Sequence, residues 1–326
     1  MENEDGLLPR CFMSRSLSTI VPLLASLTGL DLNNMSVNCK ICNSTRLIFV
    51  AHTAKCKDCG VLMYYPFQDD TLFVSKEDPA SIAESKRLFR DWYRRSAFLN
   101  HSNFTKMFLF AIQDPSRVQE GIKILDYGAG GGQFALICKS FLPSCEVYTV
   151  DVNDYGLLDE YRPLVHQIKW KDFSTDTTRF DYIFLNDVYE HLSDPIKTMT
   201  LLGSKLKDDG ALFIDTPKQF WIYSFFKFLS QKMYLRLLKG TVSVAHLQIW
   251  TPKSFRLSMQ QSGFQVVRYR EQSEFTMNYN HYLRNMGITG FLGQILGTLF
   301  YRSAKYLAKN KIMALVSKSG CTHTSL

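Results

Sequence analysis

One eleven-residue stretch, Ile124-Leu125-Asp126-Tyr127-Gly128-Ala129-Gly130-Gly131-Gly132-Gln133-Phe134, narrows the choice of fold more than any other part of this chain. A short apolar run enters a cluster of glycines. Directly after it, Phe134, Ala135, Ile137 and Cys138 repeat at helical spacing. A chain that must reverse sharply at the carboxyl end of a strand needs residues that tolerate positive φ, and glycine supplies them. Strand, glycine turn and helix in that order is the opening unit of an open α/β sheet with a ligand-binding crevice.

The rest of the chain continues that pattern. Apolar strands are expected at Lys123 to Asp126, Glu146 to Asp151, Gln167 to Trp170, Asp181 to Asn186, Ala211 to Asp215, Phe264 to Arg270 and Lys311 to Ser317. Amphipathic segments lie between them, as in a parallel sheet. Gly210 reads as a turn after a helix. Residues 80–112 read as a helix, with Ile82, Leu88, Phe89, Trp92, Tyr93, Phe98 and Leu99 at mixed three and four spacing. The chain has 326 residues, 46% of them hydrophobic, which supports a large core and excludes disordered, collagen-like and coiled-coil classes.

Two glycine patterns compete for the loop. The dinucleotide fingerprint needs a third glycine where Gln133 stands, and Asp126 would repel a pyrophosphate. The pattern acidic-x-Gly-x-Gly-x-Gly is matched in full by Asp126, Gly128, Gly130 and Gly132. A second acid, Asp151, closes the second strand. Asn186 and Asp187 stand at the end of the fourth, followed by Val-Tyr-Glu-His-Leu-Ser-Asp-Pro over 188–195.

These motifs resemble those of the class I S-adenosylmethionine-dependent methyltransferases, over about residues 120–270. The resemblance implies a doubly wound, seven-stranded Rossmann-like α/β sheet and S-adenosylmethionine as cofactor, a cation that suits acidic neighbours. It implies that Asp126, Gly128, Gly130, Gly132 and Asn186 line the cofactor, that Asp151 accepts from the ribose hydroxyls, and that Asp172 and Phe173 hold the adenine. His191, within Glu190-His191, is the first candidate general base, because imidazole titrates near neutrality. His246 is the second. His246-Leu-Gln-Ile-Trp250-Thr-Pro-Lys-Ser-Phe255 resembles the family segment that starts a helix on the acceptor side, with Thr251 and Pro252 as cap and first turn. A methyltransferase-like domain that binds without turnover is the non-enzyme alternative; the intact loop and Asp151 speak against it.

Upstream, Cys39-x-x-Cys42 and Cys56-x-x-Cys59 are thirteen residues apart. Two such turns direct four thiolates at one tetrahedral centre, the arrangement of a structural Zn²⁺ site with no open position. Gly60 suits the left-handed turn of such a knuckle, and His52 is left as an ordinary loop residue. The expected organisation is an extension over 1–35, a zinc-binding four-cysteine module over 36–67 and a methyltransferase domain over 80–326, with insertions at about 218–245 and 284–310. Small zinc modules ahead of this kind of domain resemble those of bacterial sugar and surface-glycan methyltransferases.

The net charge of +8 is unevenly spread. Residues 216–326 hold 15 Lys/Arg against two acids, Glu271 and Glu274. The basic part covers both insertions, the first of them rich in aromatic residues. An anionic small-molecule, sugar, glycan or lipid-linked acceptor is therefore expected, with an anionic membrane surface as a further contact. RNA gripped by aromatic and basic side chains is the alternative. Nucleic acid is disfavoured, because the Cys segment carries only Lys40, Arg46, Lys55 and Lys57, offset by Asp58. The oligomeric state is left open. Paired C-x-x-C spacing in a long chain fits a reducing cytoplasm. Leu17 to Leu30 could read as a signal-peptide core, but Glu2, Glu4 and Asp5 precede it and Pro22 interrupts it. The expected location is the cytoplasm, with the inner face of the membrane as a peripheral site.

Overall fold

The computed structural model describes residues 37–50, 52–67, 78–219, 246–274, 295, 298–299 and 309–320, with backbone alone at 50 and 92–99. The extension over 1–35, and nearly all of both insertions, lie outside the described residues.

The Cys segment forms three short strands, β1 (Leu47–Val50), β2 (Thr53–Cys56) and β3 (Leu62–Tyr64). Helix α1 (Pro79–Ala111) follows, over the span expected from sequence. Asp78 caps it by accepting from the Ser81 N–H, and Pro79 fills the first turn, where no N–H is needed. Then come β4 (Lys123–Tyr127), α2 (Phe134–Phe141), β5 (Glu146–Val150), β6 (His166–Gln167) and β7 (Phe180–Asn186). Helix α3 (Pro195–Lys205) leads into β8 (Leu206–Pro217). Strand β9 (Gln248–Ile249), α4 (Pro252–Gln261), β10 (Phe264–Gln272) and β11 (Lys311–Lys318) complete the order.

Seven strands join one sheet in the order β10-β11-β8-β7-β4-β5-β6, and the one expected at Gln167 to Trp170 is shifted and cut to His166–Gln167, with Trp170 in the following turn. Its order reverses at β4, so β4 and β7 open the crevice where ligands of such sheets bind. Strands β6, β5, β4, β7 and β8 are parallel. The sheet is mixed rather than wholly parallel, because β11 runs antiparallel to both β8 and β10. That reversal brings the start of β11 to the carboxyl ends of β7 and β8.

Period-two alternation sends neighbouring residues to opposite faces. Leu125, Ile183, Leu212 and Ala314 enter one core, with Met199 and Leu202 of α3 and Phe255 and Met259 of α4. Ile124, Phe184, Phe213 and Leu315 enter the other, with Met107 and Phe108 of α1 and Phe134 and Ile137 of α2. Both faces are thus covered, which is the doubly wound arrangement.

Gly210 does not end a helix. It lies inside β8, beside a register shift between Phe180 and Tyr182. A Cβ there would stand 2.9 Å from the Asp181 carbonyl oxygen and 3.0 Å from that of Phe180. The glycine is required by close backbone approach in the strand.

The Cys segment forms a second sheet, β1-β2-β3-β9, whose last strand comes from the segment before α4. Cys39, Ile41, Cys56, Cys59, Val61 and Met63 share the first core cluster with Leu125, Tyr127 and Trp250. Among the described residues, no helix is long and apolar enough to cross a membrane.

Candidate active site

The glycine loop leaves β4 with three residues at positive φ: Gly128 at 79°, Gly130 at 52° and Gly132 at 85°. Space makes the same demand. A Cβ on Gly128 would stand 2.4 Å from Val188 Cγ2, and one on Gly132 would stand 2.5 Å from Leu157 Cδ1. The Gly130 N–H donates to Asp151 Oδ2 at 2.8 Å, and the Asn153 N–H donates to the other oxygen at 2.8 Å. Asp151 therefore braces the loop from the end of β5, and each of its oxygens keeps a lone pair for a ligand.

Asp126 is 2% exposed on β4. Burial, together with the charge of Asp151, pushes its carboxyl up to about 7. Burial also raises Asp151, opposed by the N–H groups it accepts from. The Asn186 amide is near enough to favour the charged form of Asp126, yet both of its polar atoms are buried without a formed hydrogen bond. Two protonatable carboxyls, an orphaned amide and a cradle that admits no side chain fit a cationic, hydroxyl-bearing ligand. Asp126, Gly128, Gly130, Gly132, Asp151 and Asn186 are thus the residues able to hold S-adenosylmethionine.

Asp172 and Phe173 stand differently. Asp172 is exposed on the turn Trp170–Asp172. Phe173 is 2% exposed, with its ring 5.6 Å from that of Tyr127. Its ring packs in the core, with the Lys205 ammonium 5.4 Å from its centroid. The sequence shows an aromatic residue after an acid; only the packing shows which way the ring turns.

Beyond Asn186 the chain turns through Asp187, at φ 53°, into Tyr189–His191. Tyr189 is fully buried and stacks on Trp250 with centroids 4.5 Å apart. Its hydroxyl bonds to that of Ser258 on α4. Glu190 is 1% exposed and accepts from the Thr216 hydroxyl at 2.9 Å. Burial, then the charge of Asp187, pushes its carboxyl up to about 8. The rings of His191 and His246 lie 5.0 Å apart, edge to face. Burial lowers His246 to about 4, with the His191 charge acting in the same direction. The fold thus brings together two histidines 55 positions apart in sequence. His191 also lies within electrostatic reach of Asp151, which ties this pair to the cofactor side.

Sequence reading missed the group next to them. Lys311, at the start of β11, is buried. Its Nζ contacts Asp187, Asp215 and Glu274, the last at 3.2 Å. Those carboxylates hold the ammonium well above the usual lysine range despite its burial. Asn103 of α1 donates to Glu274 at 3.1 Å. The one available signal was a lysine opening an otherwise apolar strand.

In the Cys segment, the four Sγ atoms lie within 4.8 Å of one another. Cys39 and Cys59 are 3.7 Å apart, and Cys42 and Cys56 are 3.5 Å apart. A Zn–S bond of about 2.3 Å in tetrahedral geometry implies an S–S edge of about 3.8 Å, so the cage fits that ion. His52 instead stacks on Tyr64, with centroids 5.6 Å apart.

Residues 105–269 match the family model described as methyltransferase domain. Among curated proteins, the chain is similar to the ubiquinone biosynthesis O-methyltransferase of Histophilus somni (strain 2336). Identity is 24% over 198 residues, covering 54% of this chain and 82% of that one. It is also similar to the (S)-coclaurine N-methyltransferase of Papaver somniferum, 24% identical over 151 residues, covering 44% of this chain and 42% of that one. Among solved structures, the YcgJ protein from Bacillus subtilis aligns with a TM-score of 0.45 and 14% identity, covering 68% of this chain and all of that one.

Proposed function

The chain belongs to the methyltransferase-domain family and is an S-adenosylmethionine-dependent methyltransferase; from that premise we propose that its acceptor loses a proton from oxygen or nitrogen, with His246 receiving it. When bound, S-adenosylmethionine supplies an electrophilic methyl group on a sulfonium. Asp126, Asp151 and the glycine loop bind and orient. Most of the remaining work is alignment and exclusion of water.

The observation that carries this reading is the His191–His246 pair, 5.0 Å apart at the carboxyl end of the sheet. Burial holds the His246 imidazole neutral above about pH 4, the form a base requires, while making it a weaker base than an ordinary imidazole, so it acts only on a proton that the acceptor sheds as the methyl bond forms. His191 lies edge to face with His246 and 3.7 Å from the Glu190 carboxyl.

The acceptor class follows from charge. Among the described residues, Lys218 is matched by Glu271 and Lys311 by three carboxylates. From the sequence, we assign the reception of an anionic group to basic residues of the first insertion, such as Lys227, Lys232 and Arg236. An anionic small molecule, sugar or lipid-linked acceptor suits that division better than RNA does. We assign the four thiols to a structural zinc ion in a cytoplasmic protein.

The test is methyl transfer from labelled S-adenosylmethionine into pools of anionic sugars, lipid-linked glycans, small phenols and RNA. Transfer to an anionic non-nucleic acceptor is expected. His246→Ala should lower kcat at least about tenfold while cofactor affinity holds. If neither His246→Ala nor His191→Ala slows turnover at saturating acceptor, histidine is not the proton acceptor.

A further inference from the structure

The two histidine-bearing segments have something in common beyond their approach: both are fastened to the Cys knuckle. Strand β9 begins two residues after His246 and pairs with β3, Met63 opposite Gln248 and Leu62 opposite Ile249. The Tyr64 N–H extends the ladder by donating to the Leu247 carbonyl at 2.8 Å. The turn of the second Cys pair grips the other end of the same segment. Cys59 accepts from the Thr251 hydroxyl at 2.9 Å through its carbonyl, and Asp58 accepts likewise from Lys253 at 2.7 Å. Gly60, at φ 81°, comes so close that a Cβ would stand 3.2 Å from Thr251 Cγ2. The Gly60 carbonyl accepts from Gln219 at 2.7 Å, and the same amide also reaches the Ile249 carbonyl at 3.1 Å.

The first Cys pair holds the other histidine. Lys40, inside Cys39-x-x-Cys42, donates to the Ser193 carbonyl at 2.7 Å, two residues past His191. Gln248 of β9 donates to the Leu192 carbonyl at 2.9 Å. Each half of the knuckle thus secures one histidine segment, and β9 ties the two together. The cofactor loop is braced by Asp151 from β5 instead.

We propose that the four-cysteine knuckle is a positioning element of the active site. By pairing β3 with β9 and holding the Ser193 carbonyl, it sets His246 against His191, so metal occupancy of Cys39, Cys42, Cys56 and Cys59 orders the acceptor side and leaves cofactor binding intact. This rests on the methyltransferase reading and on zinc as the knuckle's ion. The physical basis is coupling: a four-thiol site exists only in the folded knuckle, so the ion's binding energy becomes folding energy, and the β3–β9 pairing passes that order to β9.

The experiment compares protein as purified, its metal content measured, with protein stripped by a chelator and with the variants Lys40→Met and Thr251→Ala, which keep all four thiols. Amide hydrogen exchange is read at 247–250, histidine ring resonances by NMR, and S-adenosylhomocysteine binding by calorimetry. Stripping should speed exchange at 247–250 by about tenfold or more, move the His246 resonances and change cofactor affinity less than about threefold. Lys40→Met should move the His191 resonances and Thr251→Ala those of His246. These two variants decide the matter if the stripped protein does not stay folded. Unchanged exchange at 247–250 after stripping, or unmoved histidine resonances in both variants, overturns the proposal. So does loss of cofactor binding in step with the metal, or an intact protein that carries no metal. Failure of the intact protein to bind S-adenosylhomocysteine would instead refute the methyltransferase reading.

Discussion

Asp126, buried, and His246, half-buried, are titratable groups displaced in opposite senses, and each displacement has a measurable consequence. Asp126 is pushed up to about 7 from an ordinary carboxylate value near 4. Between those values the folded protein holds a proton that the unfolded chain has released. Stability from this group therefore declines as pH rises through that window. A cationic ligand favours the ionised form, so binding expels the proton. S-adenosylmethionine should bind up to about tenfold tighter per pH unit as pH rises toward 7, then level off. Calorimetry in buffers of different ionisation enthalpy should show the released proton. Asp126→Asn should bind weakly with no such slope. His246 is lowered to about 4 by burial, so the unfolded chain binds the extra proton below pH 6.5. Its share of stability is whole above pH 6.5 and is lost as pH falls toward 4. A kcat profile flat from pH 6 to 8 on its acid side is expected. An acid limb near 6.5 would show that His246 is not the titrating base.

Helix boundaries and glycines show how the elements were written into the chain. Thr251 caps α4 and Pro252 fills its first turn, as expected from the sequence, and Ser254 completes a reciprocal capping box. Asp194 caps α3 one way, accepting from the Lys197 N–H, with Pro195 in the first turn. Such caps are legible because they are local. Gly210 was legible as a glycine but not as a strand residue, because the carbonyls it passes belong to β7. Gly263, by contrast, takes φ 79° after α4 with open space around it. The contrast gives a test by urea denaturation. Gly263→Ala should cost about 1 kcal/mol from backbone conformation alone. Gly210→Ala should cost about 1–3 kcal/mol, because the added carbon meets backbone oxygens that cannot move aside. Equal losses would mean that close approach in β8 is not what the glycine serves.

Across the whole molecule, Lys311 ties the start of β11 to the ends of β7, β8 and β10 through Asp187, Asp215 and Glu274. Glu274 and Asn310 then close on each other twice, Glu274 N–H to the Asn310 amide oxygen at 2.8 Å and the Asn310 amide to the Glu274 carbonyl at 2.7 Å. Removing one partner from a buried charged group is costly, because the others lose their compensation. Lys311→Met should destabilise the fold by about 3 kcal/mol near pH 7.5. The loss should shrink toward pH 5, because Asp215, already raised well above its ordinary value, takes up a proton readily. A pH-independent loss would show that packing, not charge, is what Lys311 contributes.

The sequence by itself determined the sheet, its glycine turn, the acids beside it and the four-thiol spacing. Each of these is written within a few consecutive residues, in periodicity, caps and conformational preference. The tertiary structure alone decided that β11 runs antiparallel, that Phe173 faces inward and that a knuckle at residue 60 buttresses a strand at 248. It also decided that Lys311 meets Asp187 across 124 positions. Those contacts depend on where whole strands come to lie, and no local pattern encodes the end of a strand against which another will close.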